Sequence, residues 1–269
     1  MSSQSSKSSK RQKSIPFDCW GDIVHYLDYV TGTTILSVVS SDLVRKTAEL
    51  KRSATFKAKQ LVLADGSLAL DRLEAASVRF PALEDVSVNL SGALSDREGF
   101  TDARRALILA KLCTCTFITR LHLSGNDIAV LPDAIGALTN LKELDLGHNQ
   151  LTALPDSIGS LTALGRLHLH NNKLVTLPDS IGSLAALTTL FLSNNQLEQL
   201  PDLFDKLTAL ENVHLNGNKL TALPNSIVAL TNLKHLYIHG NSFNDDQIEH
   251  WFGWLLHFTM KTGITPGPM

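Results

Sequence analysis

The 269-residue chain is poor in cysteine, with only Cys19, Cys113 and Cys115. Three thiols are too few for the disulfide framework of a small secreted domain. No run of about 18 apolar residues occurs, so a membrane-spanning helix is not expected. The opening MSSQSSKSSKRQKS carries charge but has no apolar run behind it, unlike a secretory signal. A reducing compartment, cytosol or nucleus, is therefore the expected location. Gly-rich phosphate loops, His-Glu-x-x-His pairs and nucleophile elbows are also missing. No cofactor and no catalytic residue is expected, and the chain is not read as an enzyme.

Positive charge is scarce where it would matter for nucleic acid. Residues 1–60 hold ten Lys/Arg against five Asp/Glu, and the rest holds fourteen against twenty-one, so the bulk of the chain is acidic. A surface of that balance is a poor grip for phosphate backbones, and nucleic acid is not an expected partner. The basic tail (Lys7, Lys10, Arg11, Lys13) reads as a solvated, disordered terminus over residues 1–14.

What is present is a period. Leu141, Leu164, Leu187, Leu210 and Leu233 fall 23 residues apart, with Ile118 one step before them. Asn126, Asn149, Asn172, Asn195, Asn218 and Asn241 keep the same interval, and a Leu-Pro pair follows each of the first five. Periods of this length mark a solenoid, whose units cannot bury their apolar faces alone. Alternation as in Leu144-Asp145-Leu146 sends the leucines inward and the residue between them to the open face. The asparagine follows where the chain leaves the strand, and its buried amide can satisfy backbone groups of its own and the adjacent coil. A structural asparagine ladder is expected. Proline then fixes φ, and Asp133, Asp156, Asp179, Asp202 and Asn225 are expected to cap the short turn that follows.

The pattern LxxLxLxxNxLxxLPxxIGxLxx resembles the leucine-rich repeat, in six successive copies over 118–243. The resemblance implies an α/β leucine-rich repeat solenoid, with a curved parallel β-sheet on the concave face and short helices or 3-10 turns on the convex face. The Leu-Pro-x-x-Ile-Gly form is similar to that of intracellular members, some of which engage small GTPases. Extracellular members usually carry clustered cysteines at both ends of the repeats, and none flank them here.

Residues 56–117 are read as divergent repeats with an inserted helix. Leu61 and Leu63, then Val86 and Val88, form alternating apolar pairs. The helix is expected near Asp102–Leu112, with Ala106, Leu107, Leu109, Ala110 and Leu112 as its apolar face. Cys113 and Cys115 follow, more simply read as packing than as metal ligands. A capping helix is expected over 244–261, with Ile248, Trp251, Phe252, Leu255 and Leu256 covering the last coil, and a loose tail over 262–269.

Residues 15–55 form a small helical unit by spacing, with Trp20, Ile23, Val24 and Leu27 at intervals of three and four. Ile15-Pro16, then Trp20, Ile23 and Leu27, then the basic close at Arg45-Lys46 resemble an F-box. That resemblance implies docking of the adaptor subunit of a cullin-type ubiquitin ligase through Ile15, Pro16, Trp20, Ile23 and Leu27. The alternative is an N-terminal cap that seals the first repeat.

The outward strand positions are left to carry function, since the scaffold fixes the rest. One row reads His122, Asp145, His168, Phe191, His214, Tyr237. The row two residues earlier reads Arg120, Glu143, Arg166, Thr189, Asn212, His235, and the row two later includes His170 and His239. Six of the chain's ten histidines fall in these rows. The favoured reading is a partner protein held on the concave face by Arg120, His122, Glu143, Asp145, Arg166, His168, His170, Phe191, His214, His235, Tyr237 and His239, with Phe191, Tyr237, His168 and His214 at the centre. A metal site is not expected, because side chains two repeats apart stand about 10 Å from each other. Two functions follow: a protein-binding scaffold, or a ubiquitin-ligase substrate receptor.

Overall fold

The computed structural model describes residues 53–57, 85–95 and 101–243. All lie within the unit that spans Lys51–Met269. The F-box-like positions Ile15, Pro16, Trp20, Ile23 and Leu27, the Leu61/Leu63 pair and the expected capping helix over 244–261 lie outside the described residues.

Eight parallel strands pair in chain order in a single sheet: β1 (Ser53–Lys57), β2 (Asp85–Asn89), β3 (Arg120–His122), β4 (Glu143–Asp145), β5 (Arg166–His168), β6 (Thr189–Phe191), β7 (Asn212–His214) and β8 (His235–Tyr237). From β3 onward each residue pairs with the one 23 positions on, as Leu144 with Leu167. Equivalent positions therefore stack in columns. Within each of β3 to β8 the central residue is buried and its neighbours are more open.

A strand stands ahead of the regular repeats, at the end of the stretch expected to be helical. The strand is Ser53–Lys57, with Ala54 opposite Val86 and Phe56 opposite Val88. The expected helical stretch 15–55 gives up its last three residues to β1.

The helix α1 (Asp102–Leu112) lies where expected, but it buries a different face. Arg105, Ile108, Leu109 and Leu112 point inward, while Ala106, Leu107 and Ala110 are exposed. The buried set keeps the i, i+3, i+4, i+7 spacing of one helical stripe. Arg105 is admitted because its guanidinium donates to Leu94 O (3.2 Å) and pairs with Asp102. Thr101 caps the helix by accepting from Arg104 N.

Cys113 and Cys115 are both buried just past α1, and burial, with Cys115 beside it, pushes the Cys113 thiol up to about 11. Such thiols pack as small apolar groups.

On the convex side the turns are 3-10 helices, among them Asp133–Ala137, Asp156–Ser160 and Asp179–Ser183. The capping expectation fails here. The proline stands at the N-cap, its carbonyl accepts the first turn bond (Ile158 N to Pro155 O, 3.0 Å), and no side chain caps the turn. Asp133, Asp156 and Asp179 are instead the first residues inside their turns, where their charge suits the helix N-terminus, and Asn225 takes the same place. Asp202 bonds across to the next coil, accepting from Ser226 N at 2.7 Å.

Glycine sets the spacing of this layer. A Cβ on Gly159 would stand 2.5 Å from Ser180 O, and one on Gly136 would stand 2.8 Å from Ser157 O. Ile135, Ile158, Ile181, Phe204 and Ile227 close the core beneath.

The asparagines bond the coils to one another. Asn172 Nδ2 donates to Leu169 O in its own coil (3.0 Å) and to Leu146 O in the preceding one (2.9 Å). Its Oδ1 accepts from Leu151 N at 3.0 Å. Asn149, Asn195, Asn218 and Asn241 repeat this set.

Asn172→Ala would leave these backbone groups buried without partners and is expected to cost about 3 kcal/mol in chemical denaturation. Asn241→Ala, at a half-buried position, should cost less. Equal losses would show that the bonds the two positions share, and not their burial, set the cost. Gly159→Ala should cost about 1–3 kcal/mol by overpacking. Val228→Ala, in the same column but exposed, should stay within about 0.5 kcal/mol.

Candidate functional site

The outward rows divide the sheet face into two regions. Over β3 to β5 it is ionic. Arg166 Nη1 meets Glu143 Oε2 at 2.9 Å, and Arg120 Nε approaches the same oxygen at 3.9 Å, so one carboxylate stands between two guanidinium groups. Asp145 accepts from Gly147 N (2.9 Å) and lies 4.0 Å from His122 Nδ1.

From β5 to β8 the face is aromatic. His168 and Phe191 have ring centroids 4.7 Å apart, Phe191 and His214 4.2 Å, and His214 and Tyr237 4.4 Å, with interplanar angles of 31°, 34° and 25°. At those distances rings of this size cannot lie side by side: His214 and Tyr237 stack, and the other two pairs overlap with a tilt. The spacing follows the separation of adjacent strands, about 4.8 Å. Side chains stand roughly perpendicular to a sheet. The stack therefore runs along the solenoid with its ring edges turned away from the sheet, and of its two imidazoles His168 has its Nε2 edge buried.

Burial lowers the pKa of His168, His170 and His214. For His168 the nearby Asp145 and Glu143 oppose that shift and His122 and Arg166 add to it, with burial the largest effect. For His170 the neighbouring His148 and His168 push the same way and Asp145 opposes. For His214 the additional push comes from His235 and His168. His168 Nε2 is buried without a hydrogen-bond partner. His170 lies flat over Gly147, where a Cβ would collide with its ring, and meets His148 edge-on at 4.9 Å. The remaining outward positions are polar, with Ser193 Oγ donating to Asn216 Oδ1 at 2.7 Å.

All twelve concave-face residues singled out in the sequence occupy the β3–β8 strands or the position two beyond. Phe191, Tyr237, His168 and His214 come together in one stack; Arg120, Glu143 and Arg166 come together in the ionic group; His239 stands exposed at the margin. Among the described residues no group of three His, Cys, Asp or Glu side chains gathers as a metal site. Sequence reasoning missed a second column. His148, Asn171 and Asn194 have positive φ (52°, 53° and 56°), in line with Gly125, Gly217 and Gly240. Asn194 donates to Asn171 Oδ1 (2.9 Å), and Asn171 Nδ2 meets His148 Nε2 (3.2 Å). The signal was available: Gly, His, Asn, Asn, Gly, Gly at 23-residue spacing are residue types that tolerate left-handed backbone.

Comparison with known proteins agrees with this geometry. A family model for a leucine-rich repeat region matches residues 96–192, and a leucine rich repeat model matches 188–243. No curated protein sequence matches. Among solved structures, a leucine-rich repeat protein of Leptospira interrogans is 32% identical with a TM-score of 0.46, over 62% of this chain and 52% of that one. The leucine-rich repeat ectodomain of the Arabidopsis thaliana membrane receptor kinase GASSHO1/SCHENGEN3, solved in complex with CASPARIAN STRIP INTEGRITY FACTOR 2, is 28% identical with a TM-score of 0.47, over 49% of this chain and 16% of that one. An internalin of Listeria monocytogenes is 25% identical with a TM-score of 0.44, over 51% and 39%. The chain matches about half the length of the first of these and less of the other two. Two contiguous family matches over 96–243, on a parallel solenoid with a repeating asparagine, identify the chain as a leucine-rich repeat protein.

Proposed function

We propose that the chain is a non-catalytic protein-binding module that holds its partner on the concave face, centred on His168, Phe191, His214 and Tyr237. Solenoids commonly use such extended surfaces for binding. The carrying observation is the continuous four-ring stack on the outward side of β5 to β8. A ring stack is not required to hold the sheet, since the inward leucines and the asparagine ladder already do so. Half-buried aromatic groups beside arginine are the composition of an interface centre.

Partner captured by the wild-type chain from its source cells should be lost by Phe191→Ala with Tyr237→Ala. Removal of such anchors is expected to cost about 2 kcal/mol or more, roughly a thirtyfold loss of affinity. Lys173→Ala, exposed and outside the three rows, should leave capture unchanged. Unaltered capture by the double variant would move the binding surface elsewhere.

The finer reading, a substrate receptor of a cullin-type ubiquitin ligase, rests on the F-box resemblance of residues 15–55 and on its order ahead of the repeats. It expects calorimetric titration with the ligase adaptor subunit to show micromolar or tighter binding that Trp20→Ala with Ile23→Ala abolishes. A folded sample that does not bind the adaptor removes this reading and leaves the scaffold.

A further inference from the structure

Resting on the concave-face reading above, we infer that the β5–β8 surface selects an acidic segment of its protein partner, whose carboxylates meet the edges of the stacked imidazoles. The outward positions of these four strands, with those two residues beyond, hold Arg166, His168, His170, His214, His235 and His239 and no Asp or Glu. That composition runs against the rest of the chain, which is net acidic. The acids nearest to it are already answered from within. Glu143 is held by Arg166 and approached by Arg120, Asp145 accepts from Gly147 N beside His122, and Glu211, just ahead of β7, pairs with Lys234 at 2.9 Å.

The stack geometry points the same way. Its rings present edges, and the edge of an aromatic ring is the positive part of its quadrupole. Cation–π recognition needs a ring face, and the faces inside this stack are covered by neighbouring rings. The edges suit electron-rich groups: carboxylates, carbonyl oxygens and the faces of aromatic side chains. A basic segment would find no carboxylate among the outward positions of β5 to β8, and between the stacked rings no face left open to it.

The coupling to pH has a definite sign. Facing these imidazoles are His122, Glu143, Asp145 and His148 from the β3 and β4 coils, Arg166 on β5, and the other imidazoles from β7 and β8. Burial holds His168, His170 and His214 below the ordinary imidazole value in the free protein. A bound carboxylate favours the protonated ring and raises that value in the complex. Affinity therefore grows as pH falls from the bound-state to the free-state value, by roughly two- to fivefold for each imidazole–carboxylate pair formed. The gain ends where the partner's own carboxylates take up protons, at about pH 4.

Selection of a displayed random-peptide library on the immobilised full chain at about pH 6, with counter-selection on Phe191→Ala/Tyr237→Ala, tests this. Face-dependent peptides should be enriched in Asp and Glu over the input library. Their affinity should fall between about pH 6 and about pH 7.5, and His168→Gln with His214→Gln should flatten that dependence while circular dichroism remains unchanged. Face-dependent peptides that are basic or uncharged, or that bind independently of pH, overturn the acidic-segment inference and leave the concave-face reading standing. Selection of no peptide sensitive to the Phe191/Tyr237 change overturns both.

Discussion

The structure depends on one obligation repeated at every coil: where the chain turns off a three-residue strand, its backbone groups are buried and must find partners. A short strand provides few ladder bonds, and beyond it backbone partners meet only part of the need, as Leu169 N and Asn171 N find Phe191 O and Ser193 O in the next coil. The side-chain amide of asparagine has donors and an acceptor within one planar group. It can therefore satisfy carbonyls in two successive coils while accepting an amide from the earlier one, as Asn195 does with Leu169 O, Leu192 O and Leu174 N. Aspartate would lack the donors, and a longer amide would not sit in the same place. This requirement makes the repeat length rigid. An inserted residue would shift the asparagine off the carbonyls that it serves, and 23-residue spacing persists through six coils.

Much of the fold was legible because this obligation leaves the same residues at the same interval. The strands β3 to β8, the 3-10 turns and the ladder follow from columns of Leu, Asn, Pro and Gly. Legibility ended where the columns end. In the divergent region the strand at Ser53–Lys57 has only Ala54 and Phe56 as its alternating apolar positions, too weak a period-two signal to mark it within a stretch that reads as helical. The burial of Arg105 in α1 was invisible for another reason. Composition treats arginine as exposed, whereas here Leu94 O and Asp102 answer its guanidinium. The turn caps were misjudged because proline at the N-cap leaves the aspartate one residue too far along to bond back.

The candidate site was legible in its membership and not in its arrangement. Alternation decides which residues face outward, so the rows could be written from sequence. Whether rings in a row stack or splay depends on side-chain torsions that no spacing specifies. The same holds for the ionic group. Arg120, Glu143 and Arg166 were adjacent in a row, but the nearer approach of Arg166 to Glu143 is a matter of geometry.

His168 stands at the junction of the two regions and shows which effect prevails there. The carboxylates of Asp145 and Glu143 favour its protonated form, while burial, His122 and Arg166 disfavour it, and burial is the largest of these effects. An imidazole is an aromatic ring that still carries hydrogen-bonding nitrogens, so a histidine in this column can stack on its neighbour and keep polar edges, although His168 has its own Nε2 buried without a partner. Stacked pairs add about 0.5–1.5 kcal/mol each beyond the area they bury. Phenylalanine could provide the stacking but not the edge chemistry, and lysine could provide charge but not the stacking. Alternating His, Phe, His and Tyr along one column gives an ordered surface whose charge is not fixed by its sequence. It is set by pH and by whatever is brought against the ring edges.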